Sequence, residues 1–557
     1  MLCKFFFILL SLWECGVARS TYTSCTEALT TGFMQSSQHQ AIALTLFHDL
    51  CAYKILAIIS LPLKSHYMAF QSLFRELAIR GHSVTVINNF PDKNAPSNLK
   101  FIDMKSDIFS GNNTPSLKFY ESVDYSFLHV YNFYRHFGTS VVKKDCDGLL
   151  NNELVKAHLA ADHKYDVVFV EQFMSDCGLA YASVMYDAPI IGITSHVLLP
   201  SSYPKLGIPF NFASDSFYFS KSGPNPSLLY KMEAYIANIC FNILNNYFLN
   251  RCIKEEFDKY LPNNNLDIEH AAKDRMKMIF SYQHFSLTGA RVLTPQLLEI
   301  GGIHIGRSKA LPNDIEQFIS SSQHGVIYVS FGSILVASSM SQDKLNKFLE
   351  AFERIPQKVI WKWENATVPQ GNSNVLFRSW LPQLDVLCHP KVKAFISHGG
   401  MLSMSEAVHC GKPVLAIPFF GDQFSNAAMV TDAGFGITMG FQRVNSDNLE
   451  EAIKDLLSDE KQHTAKKVSK LWHDRPQPVM DSAIYWTEYV ARNKVAPFSL
   501  PGKHNSWFES SLLDVYCVLI AVLFGLIALL NITFKLCKIF VLYLVRKLIC
   551  KGKVKTQ

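Results

Sequence analysis

The chain has 557 residues, 48% of them hydrophobic, and a formal net charge of +6. This length exceeds what one hydrophobic core supports, so we expect about two large domains. Seven basic residues and no acidic ones follow from Lys535 onward, which leaves +6 − 7 = −1 for the rest. The body therefore shows none of the basic surface that nucleic-acid binding requires.

The two ends of the chain are typical of targeting segments. Residues 1–18 contain Lys4, an apolar run and small residues before the end, which predicts a signal peptide. Residues 515–534 carry no charge and are long enough to cross a bilayer, whereas a buried core helix of this length seldom lacks charges on every face. We predict a transmembrane helix at 512–534 and a basic tail at 535–557, which is cytosolic because basic residues favour that side.

The cysteines and glycosylation sequons fit a protein with a luminal body. Thirteen cysteines are present without a CxxC pair, which argues against a zinc site or a disulfide scaffold and leaves room for one or two disulfides. Asn112-Asn113-Thr114 and Asn365-Ala366-Thr367 are acceptor sequons for N-glycosylation.

The first half of the body is predicted to be a doubly wound α/β domain. A strand at 53–59 leads through a loop to His66, a helix to Arg80, a turn at His82 and a second strand at 83–88. His66 stands at the carboxyl edge of the first strand, where open α/β sheets bind ligands, and the start of a helix favours a neutral imidazole. The position alone equally fits a surface or capping histidine. Further strands are predicted at 166–170 and 189–192, and the aromatic region 200–278 is predicted to form helices and loops around an apolar pocket.

The second half is predicted to be a second α/β domain, joined to the first by a linker at 295–312. The predicted strands are 325–331, 358–361, 394–397 and 413–417. The predicted helices are 342–354, 404–410, 425–432 and 448–457.

Residues 395–423 carry the most informative pattern. A strand runs into His398-Gly399-Gly400 and then into a helix that contains Glu406. Glycines let the backbone approach a ligand, and the N–H groups of a helix N-terminus favour a phosphate. A carboxylate within that helix is able to accept hydrogen bonds from sugar hydroxyls, so the unit is suited to a nucleotide diphosphate sugar.

The same stretch fills the motif of a known family at fixed offsets. The chain resembles the UDP-glycosyltransferases, which include the UDP-glucuronosyltransferases, from about Tyr53 to the C-terminal tail. Trp380-Leu381-Pro382-Gln383 matches the WLPQ block of that family. The other matching positions are His398, Gly400, Ser403, Glu406, Pro413, Pro418, Asp422 and Gln423.

The resemblance implies a GT-B fold with two facing Rossmann-like domains. Residues 53–300 would bind the acceptor, residues 301–495 would bind the UDP-sugar, and the helix at 477–492 would cross back onto the first domain. It also implies an inverting transferase in the endoplasmic reticulum membrane that acts on small lipophilic acceptors, with a luminal body, a detoxifying role and no metal or other cofactor. Whether the protein forms a homo-oligomer stays open.

The resemblance also implies a role for each donor-site residue. Trp380 would stack on uracil, Gln383 would lie beside the base or ribose, and Glu406 would bind ribose hydroxyls. Ser333 would contact a phosphate, and Asp422 and Gln423 would bind sugar hydroxyls. His398 and the N–H groups after Gly400 would hold the diphosphate, and His398 and the helix N-terminus would supply positive charge there. Leu402 departs from the family, because many members have an asparagine there that reaches a phosphate.

Members of the family carry a catalytic histidine in the loop that holds His66, and a carboxylate assists it. Glu171 stands where the vertebrate-like pattern has an aspartate, so the assisting role falls to Glu171 or to Asp176. The other acid of the two would be a helix cap, and Asp176 is the candidate for it.

Two rival functions stay open at this point. The departures at Glu171 and Leu402 are compatible with a UDP-sugar-binding pseudoenzyme, and the aromatic first domain is compatible with a membrane-anchored carrier of hydrophobic ligands. Residues 19–52 are an unassigned extension that the family lacks, either disordered or an artefact of how the sequence was assembled. The donor sugar also stays open between glucose and glucuronate, since no basic residue obviously awaits a sugar carboxylate near Asp422.

Overall fold

The computed structural model describes residues 52–553 except 107, 109–115, 123–130, 132–133, 213–214, 216–218, 366, 370–372, 495–499 and 511. The predicted signal peptide, nearly all of the extension and the sequon at Asn112 lie outside the described residues.

The first domain is built on a seven-stranded parallel sheet in the order β3-β2-β1-β4-β5-β6-β7. The order reverses between β1 and β4, which creates a crevice at the carboxyl ends of these two strands. Both strands are almost entirely buried, as expected of a parallel sheet covered on both faces. The strands are β1 (Lys54–Ile58), β2 (Ser83–Asn88), β3 (Leu99–Asp103), β4 (Val167–Glu171), β5 (Ile190–Thr194), β6 (Met276–Ser281) and β7 (Leu297–Glu299).

Among the described residues of this domain, ten α-helices cover the sheet or extend from it. Helix α1 buries Tyr67, Phe70, Phe74 and Leu77, whose three- and four-residue spacing places them on one side facing the sheet. The helices are α1 (Lys64–Ile79), α2 (Leu117–Tyr120), α3 (Thr139–Asn151), α4 (Glu153–Ala160), α5 (Cys177–Met185), α6 (Tyr203–Leu206), α7 (Leu228–Ile243), α8 (Asn250–Tyr260), α9 (Ile268–Arg275) and α10 (Phe285–Thr288). A π-helical turn, Leu244–Leu249, joins α7 to α8.

The second domain has a six-stranded parallel sheet in the order β10-β9-β8-β11-β12-β13, and its order reverses between β8 and β11. Its strands are β8 (Val326–Ser330), β9 (Lys358–Lys362), β10 (Val375–Arg378), β11 (Val392–Ser397), β12 (Val414–Ala416) and β13 (Gly436–Thr438). Its helices are α11 (Asn313–Ser320), α12 (Gln342–Glu353), α13 (Gln383–Cys388), α14 (Met401–His409), α15 (Gln423–Asp432), α16 (Ser446–Leu456) and α17 (Asp459–His473).

All eight predicted strands are present, and five further strands were not predicted. Strand β6 lies where only helices and loops were expected, and β7 lies inside the predicted linker, so both of those expectations are wrong at these positions. The other three, β3, β10 and β13, are edge or near-edge strands of three to five residues. Such strands carry too few buried alternating residues to stand out in a sequence.

Helix α18 (Val479–Arg492) crosses back onto the first domain, as the resemblance implied. His82 Nε2 lies 3.2 Å from Glu488, and Arg80 donates to Asp481 at 2.6 Å. His82 is buried, and its other ring nitrogen accepts a hydrogen bond from the Tyr53 N–H. This histidine therefore contacts α18 in addition to forming the predicted turn.

Helix α19 (Trp507–Ser510) precedes a single long helix, α20 (Leu513–Lys553), whose segment Leu513–Leu548 is long and apolar enough to span a membrane. The predicted helix end at 534 is absent, because the following residues are good helix formers without a proline or a capping glycine up to Cys550. The basic residues expected in a separate tail therefore continue the same helix as far as Lys553.

Candidate functional site

Both sheets place residues of the candidate site at the point where the strand order reverses. In the first domain, His66 follows β1 and Glu171 ends β4. In the second domain, Gly332-Ser333 follows β8, and His398 to Gly400 follows β11. Ligands of open α/β sheets bind in these crevices, and the two crevices contribute to one cleft between the domains.

His66 and Glu171 form the closest polar contact of the first crevice. His66 Nδ1 lies 2.5 Å from Glu171 Oε1, although the two residues are 105 positions apart in the sequence. The edge of the Phe173 ring lies against the imidazole, with 4.5 Å between the ring centres. Glu171 Oε2 is buried without a hydrogen-bond partner among the described residues, so the contact of this carboxylate with His66 is made through Oε1.

Asp176 has a different partner and does not reach His66. Its carboxylate pairs with Lys205 Nζ at 2.5 Å, and the same ammonium donates to Gln172 at 2.7 Å. Asp176 precedes α5 but makes no side-chain capping bond; the Ser175 hydroxyl instead accepts from the Cys177 N–H. The predicted capping role of Asp176 is wrong, because the buried Lys205 ammonium holds the carboxylate away from the helix end.

Asp145 is a third carboxyl group at this site, and no sequence pattern predicted it. Ser175 Oγ donates to Asp145 Oδ2 at 2.6 Å, and the Cys146–Cys177 disulfide ties α3 to the first residue of α5. Burial raises the pKa of Asp145 to about 6, and the nearby Glu171 raises it as well. The surrounding sequence KKDCDGLL resembles an exposed helix, so no pattern marks this residue as buried.

Apolar and neutral groups form the rest of the first crevice. His196 is buried 6.1 Å from the His66 ring, and burial, with the help of His66, lowers the pKa of His196 to about 3. A small cavity opens beside Phe173 and is lined by Leu199, Phe241 and Leu244. An apolar ligand fits this cavity better than a charged one, although Lys205 and Asp176 stand at its wall.

Four of the predicted donor-site residues belong to one hydrogen-bonded network or stand beside it. Gln383 Nε2 donates to Glu406 Oε2 at 2.6 Å and to Ser403 Oγ at 3.0 Å. His304 Nε2 lies 3.2 Å from the other oxygen of Glu406, and Tyr282 holds the opposite ring nitrogen of His304. Trp380, 65% exposed, faces the cleft with Lys64 Nζ of the first domain 5.0 Å from its ring. Sequence reasoning missed His304, which stands in the linker without a motif.

His398 fills the space that the glycines leave. A Cβ atom on Gly332 would lie 2.6 Å from His398 Nε2, and one on Gly400 would lie 2.4 Å from it. Burial lowers the pKa of His398 to about 4, and the nearby Lys362 lowers it further. This lowered pKa favours a neutral ring that is suited to hydrogen bonding, whereas the resemblance implied that His398 supplies positive charge.

Lys362 is a cationic residue beside the turn that follows β8. Its Nζ donates to the Gly332 carbonyl at 2.7 Å and pairs with Glu364 at 2.8 Å. Ser333 is exposed beside this turn, and Gly400 is the N-cap of α14 with the N–H groups of that helix following it. Leu402 is half-buried and packs on the core, so its side chain offers no polar group to a phosphate.

Asp422 and Gln423 lie at the start of α15. Asn426 donates to Asp422 Oδ2 at 2.7 Å, and Gln423 Oε1 accepts from the Phe419 N–H at 2.9 Å. Burial raises the pKa of Asp422 to about 6, and His66 opposes that rise. The two side chains therefore interact electrostatically across the cleft. A sugar held by Asp422 would consequently stand close to the His66–Glu171 pair.

The comparisons with known proteins agree with this geometry. The family model described as "UDP-glucoronosyl and UDP-glucosyl transferase" matches residues 55–553. UDP-glycosyltransferase UGT5 of Dactylopius coccus is 31% identical over 86% of this chain and 90% of its own length. UDP-glucuronosyltransferase 2B19 of Macaca fascicularis is 29% identical over 82% of this chain and 88% of its own length.

Solved structures show the same fold at low identity. CalG4, the calicheamicin glycosyltransferase, is 17% identical with a TM-score of 0.55, and covers 80% of this chain and 100% of its own. The glycosyltransferase VinC in complex with dTDP is 12% identical with a TM-score of 0.54, and covers 79% of this chain and 100% of its own. The two parallel Rossmann-type sheets form the GT-B architecture, and the chain belongs to the family of UDP-glucuronosyl and UDP-glucosyl transferases.

Proposed function

We propose that this UDP-glycosyltransferase transfers a sugar, with inversion, from a UDP-sugar to a hydroxyl of a small lipophilic acceptor, with His66 as the general base. The observation that carries this proposal is the 2.5 Å contact between His66 Nδ1 and Glu171, opposite Asp422 in the cleft. Glu171 would hold the Nδ1 proton and leave Nε2 to accept the proton of the acceptor hydroxyl.

The reaction forms a bond between the acceptor oxygen and the anomeric carbon and breaks the bond from that carbon to UDP. The acceptor proton passes to His66, and Glu171 stabilises the imidazolium that forms. Negative charge develops on the UDP oxygen, where the N–H groups of α14, the Lys362 ammonium and a neutral His398 are available. We propose that these groups suffice without a metal ion, so that turnover persists in EDTA.

The donor site follows from the network around Glu406. Gln383 and His304 fix the two carboxylate oxygens of Glu406, which orients them for ribose hydroxyls. Trp380 offers an exposed ring for uracil, and Asp422 offers a carboxylate for sugar hydroxyls. Lys221 Nζ lies 5.8 Å from the ring of Phe424, which is close in sequence to Asp422. A lysine near the proposed sugar site would suit the carboxylate of glucuronate, so UDP-glucuronate and UDP-glucose are both donors to test.

The acceptor side favours apolar molecules, because Phe173 and the cavity beside it border His66. We propose that α20 anchors the protein in the endoplasmic reticulum membrane with its body in the lumen. A UDP-sugar-binding pseudoenzyme and a carrier of hydrophobic ligands are the rivals, and release of UDP from purified protein with a simple phenol separates the transferase from both.

The decisive variant is His66→Ala. Loss of the general base is expected to lower kcat at least about a hundredfold, while the Kd for UDP stays within about twofold because His66 lies on the acceptor side. Turnover is measured by UDP release and UDP binding by calorimetry. His324→Ala, at an exposed histidine outside the cleft, is the matched control and should keep wild-type turnover. Near-normal turnover of His66→Ala would show that another group is the base.

A further inference from the structure

A short segment of the first domain packs into the core of the second domain. Helix α2 lies between β3 and α3 in the chain, so it belongs to the first domain. Leu117 is fully buried and Tyr120 is 8% exposed. Both join a hydrophobic cluster whose other members, among the described residues, all lie between 327 and 457 in the second domain. Residues 116–121 are called the docking segment below.

Three hydrogen bonds attach the docking segment to the loop that follows β8. Ser116 Oγ donates to the Ser339 carbonyl at 3.0 Å, and the Leu117 N–H donates to Ser339 Oγ at 2.8 Å. The Ser341 N–H donates to Glu121 Oε1 at 2.7 Å. This loop begins with the turn that is proposed to contact a phosphate, so the docking segment touches one loop of the proposed donor site.

Tyr120 packs on the loop that follows β12. The edge of its ring lies against Phe419, with 5.6 Å between the ring centres, and the ring is stacked on Phe420 at 6.1 Å. Aromatic pairs in these arrangements are favourable beyond the area that they bury. Phe419 also contacts Phe331, which follows β8 directly, at 5.5 Å. The loops after β8 and β12 therefore meet beside Tyr120.

The two phenylalanines are joined to the residues that the resemblance assigns to sugar hydroxyls. Gln423 Oε1 accepts from the Phe419 N–H at 2.9 Å and from the Phe420 N–H at 3.2 Å. Gln423 is buried, so the dense packing around it limits how far its side chain is able to follow a displaced backbone. Asp422 lies between Phe420 and Gln423 in the chain. A shift of the phenylalanines would therefore displace both sugar-site residues.

We propose that the docking segment positions the donor sugar, with Tyr120 as a positioning residue that acts through Phe419, Phe420 and Gln423. The first domain would thereby control where the second domain holds the sugar, opposite His66. The inference rests on the proposed UDP-sugar site and adds a residue of the other domain that sets its geometry.

The alternative is that the docking segment only holds the two domains together. Helix α18 already ties its own segment to the first domain, through the contacts of His82 with Glu488 and of Arg80 with Asp481. The docking segment instead contacts the loops at the carboxyl ends of β8 and β12, where ligands of open α/β sheets bind. This placement favours positioning over simple association.

The variants are chosen to separate the Tyr120 ring from the rest of the segment. Tyr120→Ala removes the contacts with both phenylalanines, whereas Tyr120→Phe keeps the ring. Tyr120→Leu retains an apolar side chain in the core without the ring, and it replaces the alanine variant if that variant does not fold. Phe119→Ala is the matched control, because Phe119 is the adjacent residue of the same helix and is 57% exposed.

The first experiment measures hydrogen exchange of the full chain in detergent micelles, without a substrate. Tyr120→Ala is expected to speed exchange at the amides of residues 419–423 at least about tenfold, because the turn loses the ring that packs on it. Tyr120→Phe and Phe119→Ala should exchange like the wild type there. Unchanged exchange in Tyr120→Ala, or equally fast exchange in Phe119→Ala, would overturn the proposal.

The second experiment separates the sugar from the nucleotide. In Tyr120→Ala, the KM for whichever of UDP-glucose and UDP-glucuronate the wild type turns over is expected to rise about tenfold, while the Kd for UDP by calorimetry stays within about twofold. Tyr120→Phe should restore the wild-type KM. An unchanged KM, or a Kd for UDP that rises as much as the KM, would overturn the positioning role. Absence of turnover in the wild type with both donors would refute the proposed function, and hydrogen exchange then decides on the docking segment.

Discussion

Three carboxyl groups lie close together behind the acceptor cavity, and each has a different partner. Glu171 contacts His66, Asp176 pairs with Lys205, and Asp145 has the Ser175 hydroxyl. A carboxylate beside a base that becomes an imidazolium stabilises the positive charge, whereas one paired with a lysine is already neutralised. In the proposed mechanism, Glu171 is therefore the one of the three that would support proton transfer.

Glu171→Gln is expected to lower kcat severely, by about a hundredfold or more, because an amide does not stabilise the imidazolium. The KM for the UDP-sugar should change little, since Glu171 lies on the acceptor side. Thermal melting of the variant should stay near that of the wild type because the shape of the side chain is retained. Steady-state kinetics and a melting curve on the same preparation check both statements.

Asp176→Asn serves as the comparison and is expected to act on folding. It leaves the buried Lys205 ammonium without its charged partner, at a cost of about 3 kcal/mol. The folded fraction should keep most of its turnover at low temperature. If Asp176→Asn abolishes turnover with an unchanged melt while Glu171→Gln remains active, the two roles are reversed.

Asp145 gives the site a pH dependence that melting experiments can measure. Its pKa rises from 3.8 to about 6 on folding, so ionisation opposes the folded state. The loss of stability begins above about pH 4, grows as the pH rises to about 6 and is constant above that. A shift of this size corresponds to at most about 3 kcal/mol. The free energy of unfolding of Asp145→Asn minus that of the wild type should therefore increase between pH 4 and 6; a difference independent of pH would show that Asp145 is ionised throughout.

At the scale of elements, the N-terminus of α14 is the part of the proposed donor site where the sequence departs from the pattern that the resemblance implied. Leu402 is the second residue of this helix and packs on the core, where that pattern has an asparagine. The free N–H groups of the first turn face the proposed diphosphate whatever the side chain is. In the proposed donor site, the helix would therefore bind the phosphate through backbone N–H groups and without a polar side chain at position 402.

Leu402→Asn is expected to tighten UDP binding severalfold by adding an amide donor, while lost packing costs about 1–2 kcal/mol of stability. Calorimetry with UDP and thermal melting measure the two effects. Leu402→Ala is the matched control, because it loses the same packing without gaining a donor. Equal UDP affinity of both variants would show that the backbone alone binds the phosphate.

The elements that carry the motifs were predictable from the sequence, and most of their partners were not. Strands β1, β4, β8 and β11 are buried apolar runs, and polar residues stand at or just after their ends, so their edges could be located. Asp145, His304 and Lys362 act through neighbours that folding brings together; His304 lies 102 positions from Glu406. No local pattern records such a pairing. The neutral state of His398 likewise depends on burial and on Lys362, which the sequence does not show.

At the scale of the whole molecule, the long C-terminal helix sets the relation of the body to a membrane. Helix α20 has 41 residues and is about 61 Å long, roughly twice the thickness of a hydrocarbon core. The first basic residue, Lys535, comes about 33 Å after Leu513. Residues 515–534, which carry no charge, are thus the part that fits a bilayer, and the basic residues follow them in the second half of the helix.

The last prediction concerns this topology. In sealed microsomes, trypsin is expected to remove only a short peptide that includes Lys551 and Lys553, because the positive side of a span stays in the cytosol. Lys535 and Lys538 should resist cleavage at the membrane surface. Asn365 is exposed on the second domain, so it should carry a glycan that protease does not reach. Asn365→Gln should lower the apparent mass by one glycan without changing the tryptic pattern at the tail. Cleavage within the body, or a tail that is protected while the body is digested, would show the opposite orientation.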